Sequence, residues 1–130
     1  MIKIQDLRVG DTVVAQYDGV LKQGTVTDIN HDEKQISVVT DEQEFWYDQQ
    51  DLFPISLGEE QLAKLKFVRN DAIKQGAQYE RGPFIIRFYV KDGEKHADLQ
   101  YRDEIRELKG DLNVNTLQNH YAAMTNFHLD

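Results

Sequence analysis

The chain has 130 residues and no cysteine, which bounds it to one compact domain or two small subdomains and excludes disulfides and thiol chemistry. No apolar run approaches the ~18 residues of a membrane span, and Met1-Ile2-Lys3-Ile4-Gln5-Asp6 lacks the basic-then-apolar order of a secretory signal. A cytoplasmic protein away from the membrane is therefore expected. The net charge is −8 and lies almost wholly in one half: residues 1–57 hold 4 Lys and Arg against 11 Asp and Glu, residues 58–130 hold 11 against 12. Phosphate is repelled by so acidic a first half, which disfavours nucleic acid as its partner.

Residues 12–55 read as short strands separated by turns. Thr12–Tyr17 is a strand and Asp18-Gly19 a turn signal. Gly24–Ile29 alternates apolar and polar residues as a half-buried strand does. Asn30–Lys34 is a polar loop. Ile36–Thr40 is rich in β-branched residues, Glu44–Tyr47 is aromatic, and Leu52–Ile55 closes the series. Five strands in so short a stretch predict a small antiparallel barrel, which removes its exposed edges by closing.

The pattern Val9-Gly10-Asp11-x-Val13-x-Ala15-x-Tyr17, then Gly24-x-Val26-x-x-Ile29, then Asp51-Leu52-x-Pro54-Ile55 resembles an SH3-like barrel of the Tudor or KOW kind. Gly10-Asp11 suits a tight turn into the first strand, and Gly24 a second strand starting close against the first. The resemblance implies a use for strand-end aromatics as a cage for methylated lysine or arginine.

After Ile55 the texture changes. Glu59–Leu65 is helix-forming, with acidic residues first and lysine late, as the helix dipole favours. Residues 69–82 are polar and glycine-containing and read as a loop. Pro83–Val90 is the strongest strand of the chain, Lys91-Asp92-Gly93-Glu94 a hairpin signal, and His96–Tyr101 the returning strand. Residues 104–108 add a third. Val114, Leu117, Tyr121 and Met124 recur at helical spacing, with Asn113 as N-cap and Leu112 and Leu117 at the spacing of a hydrophobic staple. The fold class is α+β: an SH3-like small β-barrel over 1–57 packed on a helix–β-hairpin/meander–helix half over 58–130, joined at the Pro54–Leu57 corner without a flexible tether.

The terminal stretch Val114, Leu117-Gln118-Asn119, Tyr121, Ala123-Met124-Thr125 resembles the signature V-H-x-L-Q-N-x-Y-x-A-L-T-G of a family of small proteins common in Bacteroidetes genomes and prophages. Ser56-Leu57-Gly58-Glu59-Glu60-Gln61-Leu62 follows that family's P-L-T-E-E-x-L. Asn115 stands at the family's histidine and Asn126 at its closing glycine, where asparagine also tolerates a left-handed helix end. The resemblance implies membership and carries no activity.

Sites for chemistry are few. His31, His96, His120 and His128 show no helical metal-pair spacing. His96 and Asp98 share a strand face, either as the start of an acid–base or metal site or as solvated groups. Asp28, Asp32, Glu33, Asp41 and Glu42 lack the spacing of a calcium loop. No nucleophile elbow or phosphate-binding glycine loop is present. No enzymatic activity, cofactor or metal is expected.

Binding surfaces remain. Tyr17, Phe45, Trp46 and Tyr47 lie on the first-half strands, with Asp18, Glu44 and Asp48 as an acidic rim. They serve as a cation–π cage or as core, and strand alternation sets Trp46 opposite Phe45 and Tyr47. In the Pro83–Val90 strand, Phe84, Ile86, Phe88 and Val90 form a row to be buried against a helix. Ile85, Arg87 and Tyr89, with Tyr101 nearby, form a mixed face suited to an interface or to snorkelling side chains. The candidate binding residues are thus Tyr17, Trp46, Arg87, Tyr89 and Tyr101, with a protein partner or self-association through an edge strand as the expected use. The alternative is nucleic acid on a basic strip of Arg81, Arg87, Lys91, Lys95 and Arg102.

Overall fold

Val13 and Ala15 alternate with more exposed neighbours in β1 (Thr12–Tyr17), so one face of that strand is apolar and must be covered. The computed structural model describes residues 1–72 and 76–129. Around β1 are built β2 (Val20–Asn30), β3 (Gln35–Val39), β4 (Glu44–Asp48) and β5 (Leu52–Phe53), antiparallel in the order β4-β3-β2-β1-β5. Asp18 and Gly19 both take positive φ, 51° and 77°, as a two-residue hairpin turn matched to strand twist requires.

The sheet is open, where sequence had predicted closure. β5 is two residues long and bonds to β1, so β4 keeps a free edge. Gly24 lies within β2 rather than at its start, and the close approach is to β3. A Cβ there would stand 2.6 Å from both Val38 Cγ1 and the Val39 carbonyl oxygen. The N-terminal segment, with a 3-10 turn at Ile4–Asp6, completes this core: Ile2, Ile4 and Leu7 are buried with Val13, Val26, Ile36, Val38, Tyr47 and Leu52.

The second half starts with α1 (Glu59–Lys64), followed by β6 (Val68–Arg69), β7 (Ala77–Arg81), β8 (Phe84–Lys91), β9 (Glu94–Tyr101) and β10 (Glu104–Lys109). These strands form an antiparallel sheet in the order β10-β9-β8-β7-β6, and α2 (Val114–Thr125) follows. The loop expected over 69–82 is therefore corrected: its ends are strand, while Ile73, Lys74 and Gln75 lie outside the described residues. The window reads as polar because Gln78 and Glu80 form one face of β7, Gln78 being buried although polar, while Tyr79 turns to the apolar core.

Phe84, Ile86, Ala97 and Leu99 are buried in one cluster with Leu62, Leu65 and Phe67 and with Val114, Leu117 and Met124 of α2. The expectation that the whole row Phe84, Ile86, Phe88 and Val90 is buried is corrected at its end. Val90 is 69% exposed because β8 runs past the start of β7 at Ala77, which pairs with Phe88. α2 begins as read from sequence: Asn113 Oδ1 accepts from the Thr116 amide at 2.9 Å. It ends on Asn126, at φ 64° and ψ 16°.

Candidate functional site

The polar pair Gln118-Asn119 on α2 ties the two halves together. Gln118 Oε1 accepts from the Thr12 amide at 2.8 Å, and its Nε2 donates to Thr12 Oγ1 and to the Leu129 carbonyl, each at 3.1 Å. Asn119 Nδ2 donates to the Asp6 carbonyl at 2.9 Å. The residues that carry the C-terminal family resemblance thus form a clasp onto the chain just before and into β1. Asn115, at the position of the family's histidine, is buried in α2.

Asp11 lies beside this clasp, 2% exposed, with Oδ2 accepting from the Arg8 amide at 3.0 Å. Burial pushes its carboxyl up to about 6, against the lowering pull of the Arg8 amide, the Asn119 side chain and the Arg8 charge. The folded pKa lies above the unfolded value, so the stabilising contribution is complete below about pH 4 and is lost as pH rises through about 6. Asp11→Asn is expected to raise stability at pH 8 by on the order of 1–2 kcal/mol and to give no gain at pH 4. Paired thermal melts of the two proteins at both pH values check this, and an equal shift at both would refute it.

The first-half aromatics divide as strand alternation dictates. Tyr17 and Phe45 lie 5.2 Å apart, centroid to centroid, and Phe45 meets Tyr47 at 6.4 Å, edge on. Tyr17 is exposed and Tyr47 buried. Beside them is a cleft of about 280 Å³ lined by Ala15, Tyr17, Asp18, Lys22, Glu42 and Tyr47 among others. Lys22 Nζ pairs with Glu42 at 2.6 Å and Asp41 at 3.2 Å, so the chain's own cation lies at the mouth of this cleft, held by carboxylates other than the expected rim of Asp18, Glu44 and Asp48. Trp46 stands on the opposite face, in register with Ser37, as do Glu44 and Asp48. Tyr17 and Trp46 therefore do not form one cage.

On the second sheet, Arg87 and Tyr89 share the face turned away from α2. Arg87 Nε donates to Gln78 Oε1 at 3.1 Å and its Nη1 to Gln100 Oε1 at 2.8 Å. The Tyr89 hydroxyl donates to Asp98 Oδ1 at 2.8 Å, and that hydrogen bond, ahead of desolvation, pushes its phenol pKa up. The Tyr89 ring stacks on His96 at 5.3 Å and 11°. His96 and Asp98 are thus bridged through Tyr89, a link that sequence spacing did not reveal. Tyr101 belongs elsewhere. It pairs with Phe84 in register, lies on the α2 side of the sheet, and meets the Phe84 ring at 6.4 Å.

Next to Tyr89 opens a groove of about 1230 Å³. Pro54, Ser56 and Leu57 of the connection between the halves line one part, and Phe88, Tyr89, Val90, Lys95 and His96 of the second sheet line another. No sequence signal pointed to it, since its walls come from segments separated along the chain.

No family model, curated protein or solved structure matches the chain. The site is read from its own chemistry. The basic residues do not gather into a strip: Arg81 stacks on Tyr121 of α2 at 5.6 Å and donates to the Leu65 carbonyl, whereas Arg87 is tied into the opposite face. Lys91 and Lys95 flank the turn before β9 and Arg102 follows it, at opposite ends of a strand about 25 Å long. Among the described residues, no three His, Asp or Glu side chains converge to hold a metal, and no helix is long and apolar enough to cross a membrane.

Proposed function

We propose that the chain is a non-catalytic, cytoplasmic binding module that recognises protein through the groove beside Tyr89. The observation that carries this reading is the Tyr89 platform itself. Its ring is stacked on His96 and its hydroxyl held by Asp98, so an aromatic contact surface is already ordered before a partner arrives. Val90, exposed on the other face at the end of β8, also lines the groove, opposite Pro54, Ser56 and Leu57 of the connection. On this reading the first half is an opened SH3-like barrel, a reading supported by its sequential antiparallel order with β5 returning to β1. The Gln118-Asn119 clasp gives the C-terminal family signature a structural purpose, consistent with membership of that family.

A photoreactive benzoylphenylalanine at Val90, in host extract, tests the reading. A discrete protein adduct is expected, insensitive to nuclease, lost with Tyr89→Ala, and absent when the probe is placed at Glu33 on the far loop. The same adducts from both positions, or an adduct removed by nuclease, would overturn it.

A further inference from the structure

β4 is an edge strand with a defined polarity. Thr40 donates its amide to the Gln43 carbonyl at 2.9 Å, and the antiparallel ladder alternates from that pair. Phe45 and Tyr47 therefore turn their backbone groups toward β3. Glu44 and Trp46 turn theirs outward, as Asp48 turns its amide, where the order of the sheet supplies no further strand among the described residues; the Asp48 carbonyl opens the 3-10 turn Gln49–Asp51. The same three residues share one face, and all three are exposed, Trp46 by 49%. Neither flanking carboxylate forms an ion pair among the described residues.

We infer that this edge binds an extended cationic peptide segment, added antiparallel to β4, with basic side chains at alternate positions. Each element of the edge selects for that partner. The outward amides and carbonyls take a backbone, as in strand addition. Side chains opposite Glu44, Trp46 and Asp48 recur every second residue at ~7 Å. Lysine or arginine there meets carboxylate, indole face and carboxylate in turn, combining cross-strand ion pairs with a cation–π contact. The balance of 4 basic to 11 acidic residues over 1–57 favours approach of a cation. A second copy is the poorer occupant. Two-fold pairing centred on Trp46 sets Glu44 opposite Asp48 twice, placing like charges across the seam.

Trp46 is the chain's sole tryptophan, so its fluorescence reports directly on the edge. The probe is a nine-residue peptide, Thr-Lys-Val-Lys-Thr-Arg-Val-Lys-Thr, titrated into the full chain at low salt. Saturable change in the Trp46 emission is expected. N-methylation of the four basic residues, which keeps every charge but removes the amides facing β4, is expected to weaken binding at least tenfold. Glu44→Gln with Asp48→Asn is expected to weaken it about fivefold or more in a chain whose circular dichroism is unchanged. Tyr89→Ala is expected to leave it unaltered, since the groove of the second sheet is a separate surface. Equal affinity for the N-methylated peptide would reduce the effect to diffuse charge attraction and overturn the inference. Absence of saturable binding by the parent peptide would do so as well.

Discussion

Phe84→Ala is expected to lower the stability of the chain by about 3–5 kcal/mol, the range for removing a fully buried phenylalanine. Phe84 is 0% exposed and sits where four aromatic rings meet. Its ring lies 4.7 Å from Tyr121 of α2, 6.1 Å from Phe67 after α1, and 6.4 Å from Tyr101 of β9. Alanine would leave a cavity bordered by two strands and a helix, and elements held by their own hydrogen bonds collapse into such a space only in part. Urea denaturation followed by far-ultraviolet circular dichroism measures the loss. A change below about 1 kcal/mol would mean that the second core is not closed around this ring as described.

Gln118→Ala is expected to cost about 3 kcal/mol and to separate the unfolding of the two halves. Gln118 is 2% exposed, and its amide serves the Thr12 amide, the Thr12 hydroxyl and the Leu129 carbonyl together. Truncation leaves these groups without that partner in a buried to half-buried site, at roughly 1 kcal/mol for each. Gln118→Glu fares no better, because a carboxylate oxygen would then face the Leu129 carbonyl. The readout is specific to a clasp: Trp46 fluorescence follows the first half, while the near-ultraviolet signal of the Phe84 cluster follows the second. Coincident transitions are expected for the natural chain and non-coincident ones for Gln118→Ala. A variant within 0.5 kcal/mol of the natural chain, with transitions still coincident, would rule out the clasp as the coupling element.

Much of the secondary structure was legible because its causes are local. Asp18-Gly19 and Asp92-Gly93 each place two residues at positive φ, and those residue types tolerate it. Asn113 caps α2 with its own side chain, and Asn126 accepts the left-handed ending. β7 was missed because a strand with one polar face, bounded by glycines, has the composition of a loop. Its polar face is satisfied by Arg87 and Asn70 across neighbouring strands, which composition does not display. Among the candidate binding residues, Arg87 and Tyr89 share a face as their spacing requires. Tyr101 departs from them because the register of β9 against β8 sets it opposite Phe84, on the α2 side.

The sequence by itself determined most of the strands and turns, β6 and β7 excepted, together with the capped terminal helix, the acidity of the first half and the alternation that parts Trp46 from Phe45. Each follows from interactions among residues a few positions apart. Only the tertiary structure decided that Gln118 reaches across 106 positions to Thr12, and that Tyr89 bridges His96 and Asp98. It also decided that the first sheet stays open at β4 and that a groove forms between the connection and the second sheet. Those features depend on which buried faces find one another and in what register. Packing of apolar surface is non-directional along the chain, so the order of residues alone does not specify where distant polar groups will meet.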